Sequence, residues 1–280
     1  SAGTGNETAG NGGRRDTMKK GIIIGILQKY LGDKEKLDEV LGRVKEMGYE
    51  AIQYIIPDYV TPEEYKALLD KHGLKYLCVG AKFQAMSENP QAIQDAIKLS
   101  DLFETDYIDI DTLPVENRKS VEGYKEYAKK LNAVGAEVKK AGKKLLYHPH
   151  ALEFASFGDG LIGLDVLIRE TDPDVVNFIL DTHWMSCGGV VLADWIRKVE
   201  GRMKIIHFKD YAIEPGIESC EQVNKRFAEV GQGNIDWPSV VAACKETGVE
   251  YAVVEQDSCY DLEPYGCAQR SYDGMVKYGV

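Results

Sequence analysis

The sequence predicts an α/β protein built as a single (β/α)8 TIM barrel over residues 18–280. Three observations carry that prediction. Short β-branched runs alternate with amphipathic helical stretches eight times in about 260 residues. Strands that alternate with helices pair in parallel through right-handed crossovers, and eight such units at this length suit a closed barrel. The competing open, doubly wound sheet would carry a GxGxxG turn after its first strand, whereas Gly21 and Gly25 lie inside that strand. Finally, Asp, His, Glu and Lys gather where strands four to eight give way to loops, the face on which a barrel carries its active groups.

Each element has a local reason. Gly21–Leu27 (GIIIGIL) is too short for a helix and rich in β-branched residues, a first strand. Asp33 caps a helix through Met47, with Leu37, Val40, Leu41 and Val44 at helical spacing and Gly48 as its stop. Ala51–Ile56 is strand two. Thr61-Pro62-Glu63-Glu64 opens a helix with proline at its first position, and Gly73 closes it. Lys75–Val79 is strand three, Pro90–Phe103 a helix and Tyr107–Ile110 strand four. A longer helix runs from Ser120 to Ala141, its lysines and glutamates a solvated face. Strand five begins at Leu145 and loosens at Pro149, which has no N–H for a ladder. A helix over Leu161–Glu170, strand six over Val175–Asp181, a helix over Leu192–Val199 and strand seven over Lys204–Lys209 follow. A helix over Pro238–Thr247, strand eight over Tyr251–Glu255 and a last helix over Tyr265–Tyr278 complete the set.

Composition narrows the function classes. The 280 residues are 44% hydrophobic, enough for a large core. No apolar run approaches the roughly 18 residues that span a membrane. A net charge of −11 repels phosphate backbones, so nucleic acid is not expected as a partner. The six cysteines contain no CxxC pair and read as reduced thiols of a cytoplasmic protein. Residues 1–17 lack an apolar stretch for a signal peptide and read as a disordered tail or an artefact ahead of a start at Met18.

Phase within the strands selects the candidate site, because alternate strand residues share a face. Leu146, His148 and His150 form one such set; Ile179, Asp181 and His183 another; Ile205, His207 and Lys209 a third; Val253, Glu255 and Asp257 a fourth. Four of the five histidines fall at strand ends, whereas His72 sits by a helix terminus and reads as solvated. Converging Asp, His and Glu suit a divalent cation. The alternative is a buried ion-pair network, which is costly for so many carboxylates without a cation. Gly231-Gln232-Gly233 permits backbone amides to approach a ligand, or simply caps the following helix. Trp184 is placed to face a sugar.

The strings LLYHPHALEF, FILDTHW, IIHFKD, EVGQGNIDW and VVEQD resemble the sugar phosphate isomerase/epimerase superfamily, the xylose isomerase-like TIM barrels. The resemblance spans residues 18–280 and is strongest in the second half. It implies a divalent-metal-dependent sugar isomerase/epimerase acting on a keto-sugar or sugar phosphate through an enediolate. A dehydratase or 3-keto-glycoside lyase is the alternative, and a non-catalytic sugar-binding barrel a third reading. The family's metal ligands fall on Asp181, His207 and Glu255. Its remaining Glu normally ends strand five, where this chain has His148, so the fourth ligand is expected to be Glu153, with His148 as the alternative. Glu255 and His150 are the implied bases, joined by His148, with Lys209 stabilising oxyanion charge or merely pairing with Asp181 or Asp210. His183, Trp184 and Gly233 are the substrate-binding candidates. Mixed carboxylate and imidazole ligands suit Mn²⁺, with Co²⁺, Zn²⁺ or Mg²⁺ as alternatives. The expected partner is a small-molecule sugar or cyclitol, without nucleic acid or membrane, and a homo-oligomer is left open.

Overall fold

The computed structural model describes residues 17–280, so the tail expected at 1–17 lies, apart from Thr17, outside the described residues. The strands are β1 (Lys19–Ile22), β2 (Ala51–Ile52), β3 (Lys75–Tyr76), β4 (Val79–Ala81), β5 (Tyr107–Ile110), β6 (Lys144–Tyr147), β7 (Val176–Phe178), β8 (Ile205–Phe208), β9 (Asp210–Ile213), β10 (Lys225–Ala228) and β11 (Tyr251–Val254). Parallel pairing runs β3-β2-β1-β11-β8 in one sheet and β4-β5-β6-β7 in the other. The two sheets form one ring. On one side β3 and β4 are halves of a single barrel strand, separated by Leu77 and Cys78. On the other, Phe178 N–H donates to Arg202 O at 2.9 Å, His207 N–H donates to Leu180 O at 2.9 Å, and Asp181 bridges His207. The eight-stranded barrel predicted from the sequence is therefore present, and its closing seam passes through two candidate site residues.

Ten helices pack around the ring among the described residues: α1 (Lys34–Met47), α2 (Pro62–His72), α3 (Phe83–Glu88), α4 (Pro90–Leu102), α5 (Val121–Lys139), α6 (Gly163–Glu170), α7 (Thr182–Cys187), α8 (Leu192–Lys198), α9 (Trp237–Thr247) and α10 (Pro264–Lys277). Their ends follow the sequence chemistry. Asp33 accepts from Lys36 N–H at the start of α1, and Thr61 with Glu64 forms a reciprocal capping box at the start of α2. No described helix is long and apolar enough to cross a membrane. All six cysteines are free thiols.

Six features depart from the sequence expectations. Strand one stops at Ile22, and Ile24–Tyr30 forms a 3-10 turn whose Ile24, Ile26 and Leu27 are buried. That apolar run marked burial rather than ladder pairing, the ambiguity inherent in short apolar segments. Helices α3 and α7, the 3-10 turn Ala151–Phe154 and the antiparallel hairpin β9–β10 were not anticipated. His72 is not simply solvated: its Nε2 lies 2.6 Å from Asp38 Oδ1, tying α2 to α1.

The barrel interior explains the site. Ala51, Leu77, Cys78, Leu146, Ile179, Ile205 and Val253 form a small apolar cluster distinct from the main core, with Tyr107 packed against it. Two residues further along the respective strands, on the same face, stand Gln53, Asp109, His148, Asp181, His207 and Glu255. The inward apolar layer thus supports a polar layer at the C-terminal mouth, as barrel architecture requires.

Candidate metal centre

Four side chains of that polar layer converge. His148, Asp181, His207 and Glu255 each offer a ligand atom, and those atoms all lie within 4.8 Å of one another. His148 Nε2 is 3.4 Å from Asp181 Oδ2, and His207 Nδ1 is 3.0 Å from Glu255 Oε2. Despite this proximity none of these four atoms has an aligned hydrogen-bond partner, although all are buried. A buried polar atom left unpaired costs about 1–3 kcal/mol. A single divalent cation satisfies all four together, and two imidazoles with two carboxylates form a donor set suited to Mn²⁺, Zn²⁺ or their neighbours. The residues fit the ion.

The surrounding charges are arranged for an anionic pair. Lys209, 1% exposed, places its ammonium 3.4 Å from Asp181, 3.1 Å from Glu255 and 2.8 Å from Asp257. Burial works against that ammonium, but the three carboxylates outweigh it and hold Lys209 above its ordinary value. Burial likewise opposes the Asp181 and Glu255 carboxylates. Lys209 and His148 nevertheless hold Asp181 low, and His207 with Lys209 holds Glu255 well below the usual range. His150 is pushed down to about 4 by burial and then by neighbouring His148, so it is neutral at ordinary pH. Its ring lies 4.6 Å from that of His148 and 5.6 Å from that of Trp184, while the Lys209 ammonium sits 5.1 Å from the Trp184 ring. A cavity of about 230 Å³ opens beside the cluster, lined by Gln53, Tyr54, Asp109, His148, His207 and Glu255 among others. Asp109 is raised to about 6 there, mainly by burial.

Residues 41–265 match the family described as xylose isomerase-like TIM barrel. The chain belongs to that family. The inosose dehydratase of Lacticaseibacillus casei is 24% identical over 207 residues, covering 70% of this chain and 64% of the relative. The chain thus spans a little under two thirds of that relative's length. A solved sugar phosphate isomerase/epimerase from Parabacteroides distasonis superposes with a TM-score of 0.75 at 18% identity, covering 96% of this chain and 97% of the other. The IolI protein, solved with a bound zinc atom, superposes with a TM-score of 0.67 at 18% identity over 93% and 98% of the two chains. At those identities the superpositions establish a shared fold.

Within this xylose isomerase-like barrel, the structure brings Asp181, His207 and Glu255 together as their strand phase requires, and His148 stands as the fourth member. Glu153 does not. The 3-10 turn carries it beneath the His-Pro-His segment, where it is fully buried, accepts from Tyr147 Oη–H, and accepts from His150 N–H at 2.7 Å. With both oxygens engaged, it holds the loop that presents His148 rather than contributing to the cluster. His183 also departs from its expected place facing substrate. The alternation ends at Asp181, which caps α7, so His183 is helical, fully buried among Phe227 and Tyr211, and donates from Nδ1 to Asp210 O at 2.8 Å. Gly233 is not free to meet a ligand: its N–H at 3.0 Å, that of Gly231 at 2.8 Å and Trp237 Nε1–H at 2.7 Å all donate to Asp210 Oδ2. A Cβ at Gly233 would fall 2.4 Å from Tyr211 O. Gln53 and Asp109 complete the polar layer. Asp109 was visible at a strand end; Gln53 could have been found by extending the same two-residue phase to strand two.

Proposed function

We propose that this chain is a divalent-metal-dependent enzyme that removes a proton beside the carbonyl of a keto-sugar or cyclitol. The observation that carries this reading is the convergence of four buried, unpartnered donor atoms at the mouth of the barrel, opening onto a small cavity of mixed polar and apolar lining. His148, Asp181, His207 and Glu255 would hold the ion, which supplies Lewis acidity that lowers the pKa of the C–H next to a carbonyl. At about 230 Å³ the cavity falls below the roughly 300 Å³ at which pockets for drug-sized ligands begin, in keeping with a single sugar-sized ring.

Two groups of this chain are placed to move the proton. His150 is neutral, its ring tilted at 44° against that of His148, and Asp109, raised to about 6, faces the same cavity as the cluster. A base with a pKa near the working pH transfers protons most effectively, which favours Asp109 over His150 and over Glu255, held well below the usual carboxylate range. Lys209 keeps a positive charge beside the cluster, where oxygen acquires negative charge as the proton leaves. Dehydration follows if the electrons of the broken C–H bond form a C=C bond while a β-hydroxyl leaves as water. We favour this course because the curated relatives are inosose dehydratases. Isomerisation or epimerisation, in which the proton returns to carbon, is the second reading, supported by the Parabacteroides superposition.

The test is incubation of the metal-loaded protein with a panel of inososes and ketohexoses in D₂O, followed by proton NMR and mass spectrometry. The expected result is metal-dependent loss of the α-proton signal, with loss of water from an inosose. A protein that binds metal yet exchanges no proton on any of them would overturn the reading.

A further inference from the structure

We propose that Gln53 is a positioning residue that selects which nitrogen of His207 faces the ion. The proposal rests on reading the four-residue cluster as a metal centre. Gln53 follows β2, its backbone fixed by donation to Ile22 O at 3.1 Å, and its side chain reaches across the mouth while only 7% exposed. Gln53 Oε1 lies 2.8 Å from His207 Nε2. Because an amide oxygen can only accept, the imidazole proton sits on Nε2. The lone pair is then on Nδ1, the atom that points into the cluster without a partner. With the amide reversed, its NH₂ would face Nε2, the proton would move to Nδ1, and an N–H would be aimed at the ion.

The amide is not free to reverse. Its Nε2 donates to Asp109 Oδ2 at 3.4 Å, so the carboxylate behind it fixes nitrogen toward β5 and oxygen toward β8. Room for that carboxylate comes from Gly80, paired in register with Asp109, where a Cβ would stand 3.3 Å from Asp109 Oδ1. Asp109, Gln53 and His207 thus form a hydrogen-bonded line running from β5 through β2 to β8. Partners behind a metal-binding imidazole typically change metal affinity by about 10- to 100-fold when removed.

The test uses the full chain stripped of metal by chelator, with Zn²⁺ and Mn²⁺ as probes. Calorimetry should show Gln53→Leu binding each ion about 10- to 100-fold more weakly than the unsubstituted chain. Long-range ¹H–¹⁵N correlation spectra of the metal-free protein should show His207 as the Nε2–H tautomer, and as a mixture or the Nδ1–H tautomer in Gln53→Leu. A purely structural role for Gln53 would not move that spectrum. If the unsubstituted chain binds neither ion, both the metal reading and this proposal fall. If it binds them and Gln53→Leu matches its affinity, only the proposal falls. Should the variant not fold, the spectrum of the unsubstituted chain still decides, because a proton on His207 Nδ1 overturns the proposal.

Discussion

Two carboxylates near the barrel mouth, Glu153 and Glu255, differ in what their oxygens already touch. Those of Glu153 are occupied by Tyr147 and the His150 amide, whereas Glu255 Oε2 is buried with ion-pair neighbours but no aligned donor. Their substitutions should therefore fail differently. Glu153→Gln swaps an anionic acceptor for a neutral amide in a closed pocket, so we expect a stability loss of about 1–3 kcal/mol in denaturant unfolding. Metal affinity should fall only slightly, through the loop. His148→Gln should instead weaken metal binding at least tenfold with little loss of stability, since the lost group is one of the converging donors. Calorimetry on both variants separates the two cases, and equal metal affinity in His148→Gln would return the fourth position to Glu153. Asp109→Asn should lose proton exchange in D₂O beyond its loss of metal occupancy; near-normal exchange would hand the proton to His150 or Glu255. Asp181, His207 and Glu255 were legible because each stands two positions after an inward apolar residue on a short strand. Glu153 and His183 were not, since both lie beyond the point where alternation stops, one in a 3-10 turn and one in α7.

At the scale of elements, the glycine loop after β10 shows how a motif can be read correctly as backbone and wrongly as function. Its amides do converge on a carboxylate, but that carboxylate is Asp210 of the same chain, fully buried. Asp210 starts β9 and fastens the loop that precedes α9, with Tyr211 N–H at 2.7 Å and Ile235 N–H at 3.2 Å completing its partners. Nothing local in the string Gly231-Gln232-Gly233 distinguishes an internal carboxylate from a ligand's, because the partner is remote in sequence. Asp210→Ala would strand several buried donors, each worth about 1–3 kcal/mol when unpaired. We expect a loss of at least about 3 kcal/mol by that reckoning, read as a lowered denaturant midpoint. A variant within error of the original chain would mean that the loop finds other partners. The hairpin β9–β10 was illegible for a related reason: strand seven was expected to end at Lys209, and the partner of Asp210–Ile213 is Lys225–Ala228, across a long connection.

Over the whole molecule, fold and site are joined at one seam. The barrel closes between β7 and β8 through the Asp181–His207 bridge, and both residues present unpartnered atoms to the same point. An ion held there would link the β7–β8 seam of the ring to β6 through His148 and to β11 through Glu255. Such an ion binds the folded chain and not the unfolded one, because its four ligands come from strands far apart in sequence. Stabilisation then follows RT ln(1 + [L]/Kd), about 2.7 kcal/mol at a hundredfold excess over Kd. For domains somewhat smaller than this one, each kcal/mol shifts Tm by about 2–4 °C, so a rise of about 5–10 °C is expected. The measurement is thermal unfolding of chelator-treated protein with added Mn²⁺, Zn²⁺, Co²⁺ or Mg²⁺, repeated on Asp181→Asn. The unsubstituted chain should gain stability with at least one ion, and the variant should lose that gain while still unfolding cooperatively without metal. If every ion leaves the unsubstituted chain unmoved, the four donors are held by Lys209 and one another, and the seam is an ion-pair network rather than a metal centre. If Asp181→Asn keeps the full gain, the ion binds elsewhere.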